Sequence, residues 1–402
     1  MPTPLAMKSD IVEWLLGEAK ALPSGLALLK ELGARLNASG LPLARASFHV
    51  RTLHPQLFGV GFYWYRGQED DTRIFEAPHG VRETDLYRRS PMRLIFDEGV
   101  TELRQSLELD DDAFDVPLYQ ELKADGFTDY LALSLTFCDG KVHGTTWVTD
   151  RKGGFKKEHI EQIRTILPIF SLLIEIHLNR RIAVNLLNTY VGRHAGERIL
   201  DGQITRGSGE SVQAAIWFSD LRGFTALSER RGRDQLLGLL NQYFDRMAEP
   251  VAEHGGEILK FIGDAMLAIF PLDDTAEEDA CERALNAAIQ AQKAMANLNV
   301  ERASFNQDQL VCGIALHVGE VMYGNIGATN RLDFTVIGPA VNLASRIEGL
   351  CQKLGPTILV SDDFSKRSGS TIPLRSLGRH QLAGIRRDVQ LFTPDIPEKA
   401  PL

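Results

Sequence analysis

Apolar residues recur every three to four positions between residues 10 and 38: Ile11, Leu15, Leu16 and Ala19, then Leu26, Leu29, Leu32 and Leu36. That spacing predicts two helices, broken at Pro23-Ser24-Gly25, with Ser24 as N-cap of the second. Strand-like runs follow at 46–50, 59–65, 92–96, 130–137 and 142–149. The last two flank Cys138-Asp139-Gly140-Lys141, whose Asp-Gly pair predicts a hairpin turn. From about Lys156 a wide apolar stripe returns at helical spacing, through Ile160, Ile163, Ile166, Leu167, Phe170, Leu173 and Ile174. Ile182, Leu186, Leu187, Tyr190 and Val191 extend it. Beyond the polar run at 201–211 the pattern alternates: strand 212–218, helix 235–252, a hairpin of 257–262 and 265–270 around Gly263-Asp264, helix 276–298, strand 310–318, helix 340–354 and strand 357–360.

A chain of 402 residues carrying this many elements divides into two or three domains. With 44% hydrophobic and 24% charged residues it is globular, and a net charge of −9 disfavours a general nucleic-acid or anionic-membrane binder. Cys138, Cys281, Cys312 and Cys351 lie far apart, without metal-ligand spacing, and read as buried thiols of a reducing compartment. The N-terminus has no secretory pattern. The most apolar stretch, 166–174, contains Pro168 and is too short to span a bilayer. The expectation is a cytoplasmic protein without a transmembrane segment.

The order of the first half, helices and then an antiparallel sheet closed by a hairpin and a long exit helix, resembles a GAF-type sensor domain over 24–178. The resemblance implies a sensor for an unidentified small molecule or other signal. Cys138, His49 and His54 are read as structural rather than as attachment or ligand positions. Residues 179–210 form a helical connector, either a two-fold stalk or a helix packed on its own domain.

Two carboxylates stand out in the second half. Asp220 ends the apolar strand in Phe218-Ser219-Asp220-Leu221-Arg222-Gly223-Phe224-Thr225, and Asp264 occupies the tight turn of Leu259-Lys260-Phe261-Ile262-Gly263-Asp264. Neighbouring strands lie ~4.8 Å apart, so a strand end and a hairpin tip can bring both onto one cation site, the alternative being an N-cap and a turn residue. Gly223 lets the backbone approach phosphates, and the amides from Leu221 to Thr225 could donate to them at a helix start. Lys260 lies within an apolar strand, where an ammonium either snorkels to the edge or meets a polar ligand. Asn342 and Arg346, four apart in Gly338-Pro339-Ala340-Val341-Asn342-Leu343-Ala344-Ser345-Arg346, share a helix face and suit a ribose and a phosphate.

These three segments, in this order and spacing, resemble the catalytic domain of class III nucleotidyl cyclases, the adenylate and guanylate cyclase family. The resemblance covers about 185 residues. It implies a homodimer with two interfacial active sites. In each, Asp220 and Asp264 with Leu221 hold two Mg²⁺ or Mn²⁺ ions. The other subunit brings Lys260 and Thr335 to the base, Asn342 to the ribose and Arg346 to the transferring phosphate. Gly223, Phe224, Thr225 and Arg331 are expected to bind substrate.

The implied activity is adenylate cyclase, ATP to 3′,5′-cyclic AMP and pyrophosphate. Lysine donates to adenine N1 and a threonine hydroxyl accepts from the exocyclic amine. The alternatives are a guanylate cyclase or a catalytically weak cyclase-like signalling module. Asp333, two residues before Thr335, is expected to turn away by strand parity. The triphosphate-gripping lysine of many family members is replaced by Ala383, with Arg331, Arg386 or Arg387 as substitutes. Gly255-Gly256-Glu257 superficially resembles a diguanylate cyclase signature, but it should end a helix rather than occupy the hairpin turn. The expected fold class is α+β: an N-terminal helix (1–23), a GAF-like antiparallel sheet with helices (24–178), the connector (179–210), a cyclase α/β sandwich with a ferredoxin-like βαββαβ core (211–395) and a tail (396–402).

Overall fold

The computed structural model describes residues 4–68, 73–109, 116–272, 279–369, 371–385 and 387–395. The chain divides into two compact units, residues 1–186 and 187–402.

Unit 1 begins with helices α1 (Pro4–Leu16) and α2 (Gly25–Ala38), the second capped by the Ser24 hydroxyl, which accepts from the Ala27 amide at 3.1 Å. Strands β1 (Arg45–Arg51), β2 (Leu57–Tyr65) and β3 (Arg73–Pro78) follow, then α3 (Asp85–Arg88), α4 (Pro91–Glu98), β4 (Glu102–Ser106), α5 (Pro117–Ala124), β5 (Asp129–Thr136) and β6 (Val142–Thr149). The six strands form one antiparallel sheet in the order β3-β2-β1-β6-β5-β4. The 35-residue helix α6 (Lys157–Val191) follows. One face of the sheet packs Ala46, Phe48, Val50 and Trp147 against the apolar stripes of the first two helices and α6. The other packs Tyr130, Ala132 and Val148 against Met92, Ile95, Tyr119 and Leu122.

Two expectations are corrected here. Residues 92–96 are not a strand but lie in α4: Ser90 caps it, Pro91 opens it and Gly99, at φ +73°, ends it, a set of start and stop signals that outweighs the local β propensity. Cys138 is exposed rather than buried, because it sits in the β5–β6 turn, where its amide donates to the Glu175 carboxylate. His49 is half-buried and hydrogen-bonded to Ser47, and His54 accepts from the Gln56 amide.

Unit 2 contains α7 (Arg193–Leu200), β7 (Gly209–Leu221), α8 (Phe224–Arg230), α9 (Arg233–Glu253), β8 (Glu257–Ile262), β9 (Ala265–Pro271) and α10 (Ala280–Ser304). It continues with β10 (Cys312–Ala328), β11 (Arg331–Ile337), α11 (Pro339–Glu348), α12 (Cys351–Leu354), β12 (Ile358–Ser361), α13 (Asp362–Arg367), β13 (Leu374–His380) and β14 (Val389–Pro394). Its sheet runs β13-β14-β12-β10-β7-β9-β8, with β11 on the far end of β10 and only β10–β12 parallel. Met247, Val251, Leu285, Ala288 and Phe364 cover one face, and the Ala340–Ala344 side of α11 the other. Residues 276–278 of the expected alanine-rich helix lie outside the described residues.

Gly255 (φ +70°) and Gly256 end α9, the Gly256 amide donating to the Val251 carbonyl at 2.8 Å, so the Gly-Gly pair is a helix terminus as expected. Edge strand β8 is tied down from below: the Tyr323 hydroxyl on β10 donates to Glu257 Oε1 at 2.8 Å, with both groups buried.

In unit 1, burial depresses the imidazole pKa of His49 to about 3 and of His143 to about 4. Both stay neutral when folded, while an unfolded imidazole takes a proton near pH 6.5. These two imidazoles therefore cost unit 1 stability as pH falls from about 6.5 toward 4, together by up to about 4 kcal/mol at pH 5. Thermal unfolding followed on Trp14, Trp64 and Trp147 should show a lower midpoint at pH 5 than at pH 7.5; equal midpoints would refute this. In unit 2, Tyr323→Phe leaves the Glu257 carboxylate buried without its donor and should cost about 1–3 kcal/mol in denaturant unfolding.

Candidate active site

The register of β7 with β9 sets the first cluster. Ser219 lies opposite Met266, so the next β7 residue, Asp220, meets the turn that carries Asp264 after Gly263, at φ +68°. The two carboxyls are in hydrogen-bond contact, and burial together with that contact pushes Asp220 well above the usual carboxylate range. The Leu221 amide donates to Asp220 Oδ1 at 3.1 Å. On the other side Gly313 of β10 pairs with Asp220, and a Cβ at Gly313 would lie 2.2 Å from Glu348 Oε1. Burial, and then the Asp220 charge, raises the Glu348 carboxyl to about 7, opposed by Arg222.

Among the described residues no group of three or more His, Cys, Asp or Glu side chains is arranged to hold a metal ion. The available protein donors are the Asp220–Asp264 pair. Two carboxylates in contact, without an ion pair among the described residues, suit a hard divalent cation whose other positions go to water and phosphate oxygens. The residues fit the implied metal.

Gly223 adopts φ +71° and α8 starts at Phe224, so the chain turns into a helix where the pattern placed it. The Phe224 ring packs on the unit 2 core, while Thr225 is exposed.

The second cluster sits on the sheet edge. A bulge between Ile258 and Lys260 re-aims β8, and Lys260 reaches solvent rather than the core. Its Nζ donates to Asp333 Oδ2 at 2.5 Å. The expected orientation of Asp333 is therefore corrected: residues two apart on a strand point to the same side, so Asp333 shares the face of Thr335. Lys260 in turn holds the Asp333 carboxyl below its ordinary value. Lys260, Asp333 and Thr335 line a cavity of about 790 Å³ together with Phe261 and Leu332; neither Asp220 nor Asp264 lines it.

The third cluster is the outer face of α11. Leu343, Ala344 and Ile347 are buried, which leaves Asn342 and Arg346 exposed on one side as the four-residue spacing requires. Gly319 lets the helix lie close to β10, where an added Cβ would meet the Ala340 Cβ at 2.7 Å. Among the described residues Arg346 makes no ion pair. Arg331 is exposed at the start of β11, near enough to act on the Asp333 charge. Ala383 is exposed between β13 and β14, Arg387 lines a separate cavity with Asp363, and Arg386 lies outside the described residues. Within one chain, then, the acidic pair does not share the cavity of Lys260 and Thr335.

Sequence reasoning missed Asp333, which correct strand parity would have found. It also missed Glu348, whose place behind Asp220 depends on the packing of α11 and carries no local signal.

Residues 208–392 match the family described as the adenylate and guanylate cyclase catalytic domain. Among curated proteins, an adenylate cyclase of Anabaena cylindrica is 39% identical over 160 residues, covering 39% of this chain and 31% of that protein. Adenylate cyclase 2 of Rhizobium meliloti (strain 1021) is 32% identical over 169 residues, covering 42% and 46%. The chain thus spans less than half the length of these curated relatives. The crystal structure of the adenylyl cyclase CyaB from P. aeruginosa is 29% identical, covering 48% of this chain and 98% of that one, with a TM-score of 0.41. Residues 208–392 of this chain belong to the adenylate and guanylate cyclase catalytic domain family.

Proposed function

We propose that the protein is an adenylate cyclase that converts ATP to 3′,5′-cyclic AMP and pyrophosphate in a homodimer with two interfacial sites, under the influence of unit 1 as a sensor. The observation that carries this reading is the contact between Asp220 and Asp264, two carboxyls at a strand end that make no ion pair among the described residues. Asp220, Asp264 and the Leu221 main chain would hold two Mg²⁺ or Mn²⁺ ions, which when bound lower the pKa of the ribose 3′-hydroxyl and offset the triphosphate charge.

The residues of the chain divide the remaining work. Lys260 donates to adenine N1, and the Thr335 hydroxyl accepts from the exocyclic amine; Asp333 adds an acceptor on the same face. Asn342 orients the ribose. Arg346 neutralises the charge that grows on the transferring phosphoryl group. The turn at Gly223, Phe224 and Thr225 offers main-chain N–H groups to the triphosphate, and Arg331 supplies the cation that Ala383 lacks.

The dimer is supported by the separation of the clusters, since each chain offers two incomplete halves. It is also supported by Phe261, Ile262 and Ile337, apolar side chains 48%, 49% and 51% exposed beside the proposed base-binding residues. The Lys260–Asp333 pair could also read guanine, with Asp333 accepting from N1–H and Lys260 donating to O6, so GTP is the substrate to exclude.

Initial rates with Mn²⁺ should favour ATP over GTP; a preference for GTP would overturn the substrate assignment. Asp264→Asn should lower the rate by about 10²-fold or more, and Arg346→Ala by about 10³-fold. Mixing Lys260→Ala chains with Asp264→Asn chains in equal amounts should restore about a quarter of the wild-type rate, because half of the dimers are mixed and each holds one intact site. No recovery on mixing would rule out shared sites.

A further inference from the structure

Unit 1 contains a cavity of about 220 Å³ on the sheet face opposite α2 and α6. β1 alternates across the sheet. Ala46, Phe48 and Val50 enter the core against the helices, so Arg45, Ser47 and His49 point the other way, the side of the cavity. The cross-strand row Arg45, Val148 and Tyr130 runs through β1, β6 and β5 on that same face.

Most polar groups there satisfy one another. Ser47 bonds His49 Nε2 at 2.9 Å and Thr146 Oγ1 at 2.5 Å. Tyr87 donates to Asp97, and Arg51 is committed through Nη2 to the Phe96 carbonyl and to Asp97, while its buried Nε has no partner. Arg45 is different. It is only 7% exposed, and among the described residues it has no ion pair and no hydrogen-bond partner for Nε. Its guanidinium lies over the Tyr63 and Tyr65 rings, 5.1 and 5.5 Å from their centroids. The fully buried Tyr130 hydroxyl also lacks a partner. Burying a guanidinium without an anion is costly, and neighbouring rings offset only part of that cost.

We propose that this cavity binds a small organic monocarboxylate, its carboxylate on the Arg45 guanidinium and the Tyr130 hydroxyl and its apolar body among Tyr63, Met92 and Phe96. One uncommitted cation matches one negative charge, which favours a carboxylate over a phosphate dianion. Size points the same way. An apolar cavity of ~150 Å³ takes up benzene, and 220 Å³ adds room for a carboxylate and one or two methylenes. The planar guanidinium fork suits two parallel hydrogen bonds to a carboxylate. Binding here is independent of the cyclase reaction, so its failure and that of the enzyme assignment are told apart.

The test is isothermal titration calorimetry of the full chain with benzoate, phenylacetate and hexanoate, against 2-phenylethanol and inorganic phosphate. At least one carboxylate should bind saturably, one site per chain. 2-Phenylethanol and phosphate should bind at least tenfold more weakly, and Arg45→Gln should weaken the carboxylate at least tenfold. Tyr130→Phe guards against misfolding: it removes a hydroxyl with no protein partner, so it should keep or raise the thermal midpoint while weakening the carboxylate severalfold. The proposal fails if none of the three carboxylates binds saturably, if folded Arg45→Gln binds as wild type does, or if phosphate binds as tightly as the carboxylate.

Discussion

Two carboxyl groups held in contact repel one another, and a chain free to relax would separate them. Here the backbone forbids it. Asp220 is the residue after Ser219 in a β7–β9 ladder whose register runs from Ala214 to Ser219, and Asp264 follows Gly263 in the turn that joins β8 to β9. Slipping the ladder by one residue would turn Trp217 and Ala215 out of the core against α9 and α10, so the apolar packing keeps the carboxyls together. The repulsion is thus sustained by hydrophobic burial elsewhere in the sheet, and it is relieved by protonation or by a cation.

The helix α11 shows how one element can serve two sides of a site. Its inner face places Glu348 over Gly313, behind Asp220, while Asn342 and Arg346 project from its outer face. A third carboxyl near the pair adds to the negative potential, and Arg222 tempers it. Small residues make this possible: the absence of a side chain at Gly313 leaves space for the Glu348 carboxylate, and that at Gly319 for the approach of Ala340.

What the sequence made legible follows from where physical signals are local. The hairpin around Gly263-Asp264, the helix start after Gly223 and the exposed face of α11 each rest on turn chemistry or on a periodicity within ten residues, and each is found as expected. Strands β3 and β4 escaped notice because their largely exposed or half-buried positions carry no apolar alternation. β10 was expected to end at 318, yet pairing with β7 and β11 carries it through Gly319 and Gly324 to Ala328. Residues 92–96 misled because a short apolar run does not distinguish strand from helix; Ser90, Pro91 and Gly99 do. Glu348 became visible only in three dimensions, whereas Asp333 was legible by parity alone.

Placement of uncompensated charge links the two units. Beside Asp220 and Asp264, Leu221 donates to Asp220, and the Tyr243 hydroxyl donates to Ser219 Oγ at 3.2 Å. Around Arg45 the serine, histidine and threonine of the same face likewise bond one another. Among the described residues unit 2 carries such a charge at Asp220 and Asp264 and unit 1 at Arg45, beside other buried atoms without a partner such as Arg222 Nε and Arg51 Nε. A buried charge without a counter-charge is costly, and a ligand of opposite sign is one way a fold completes it.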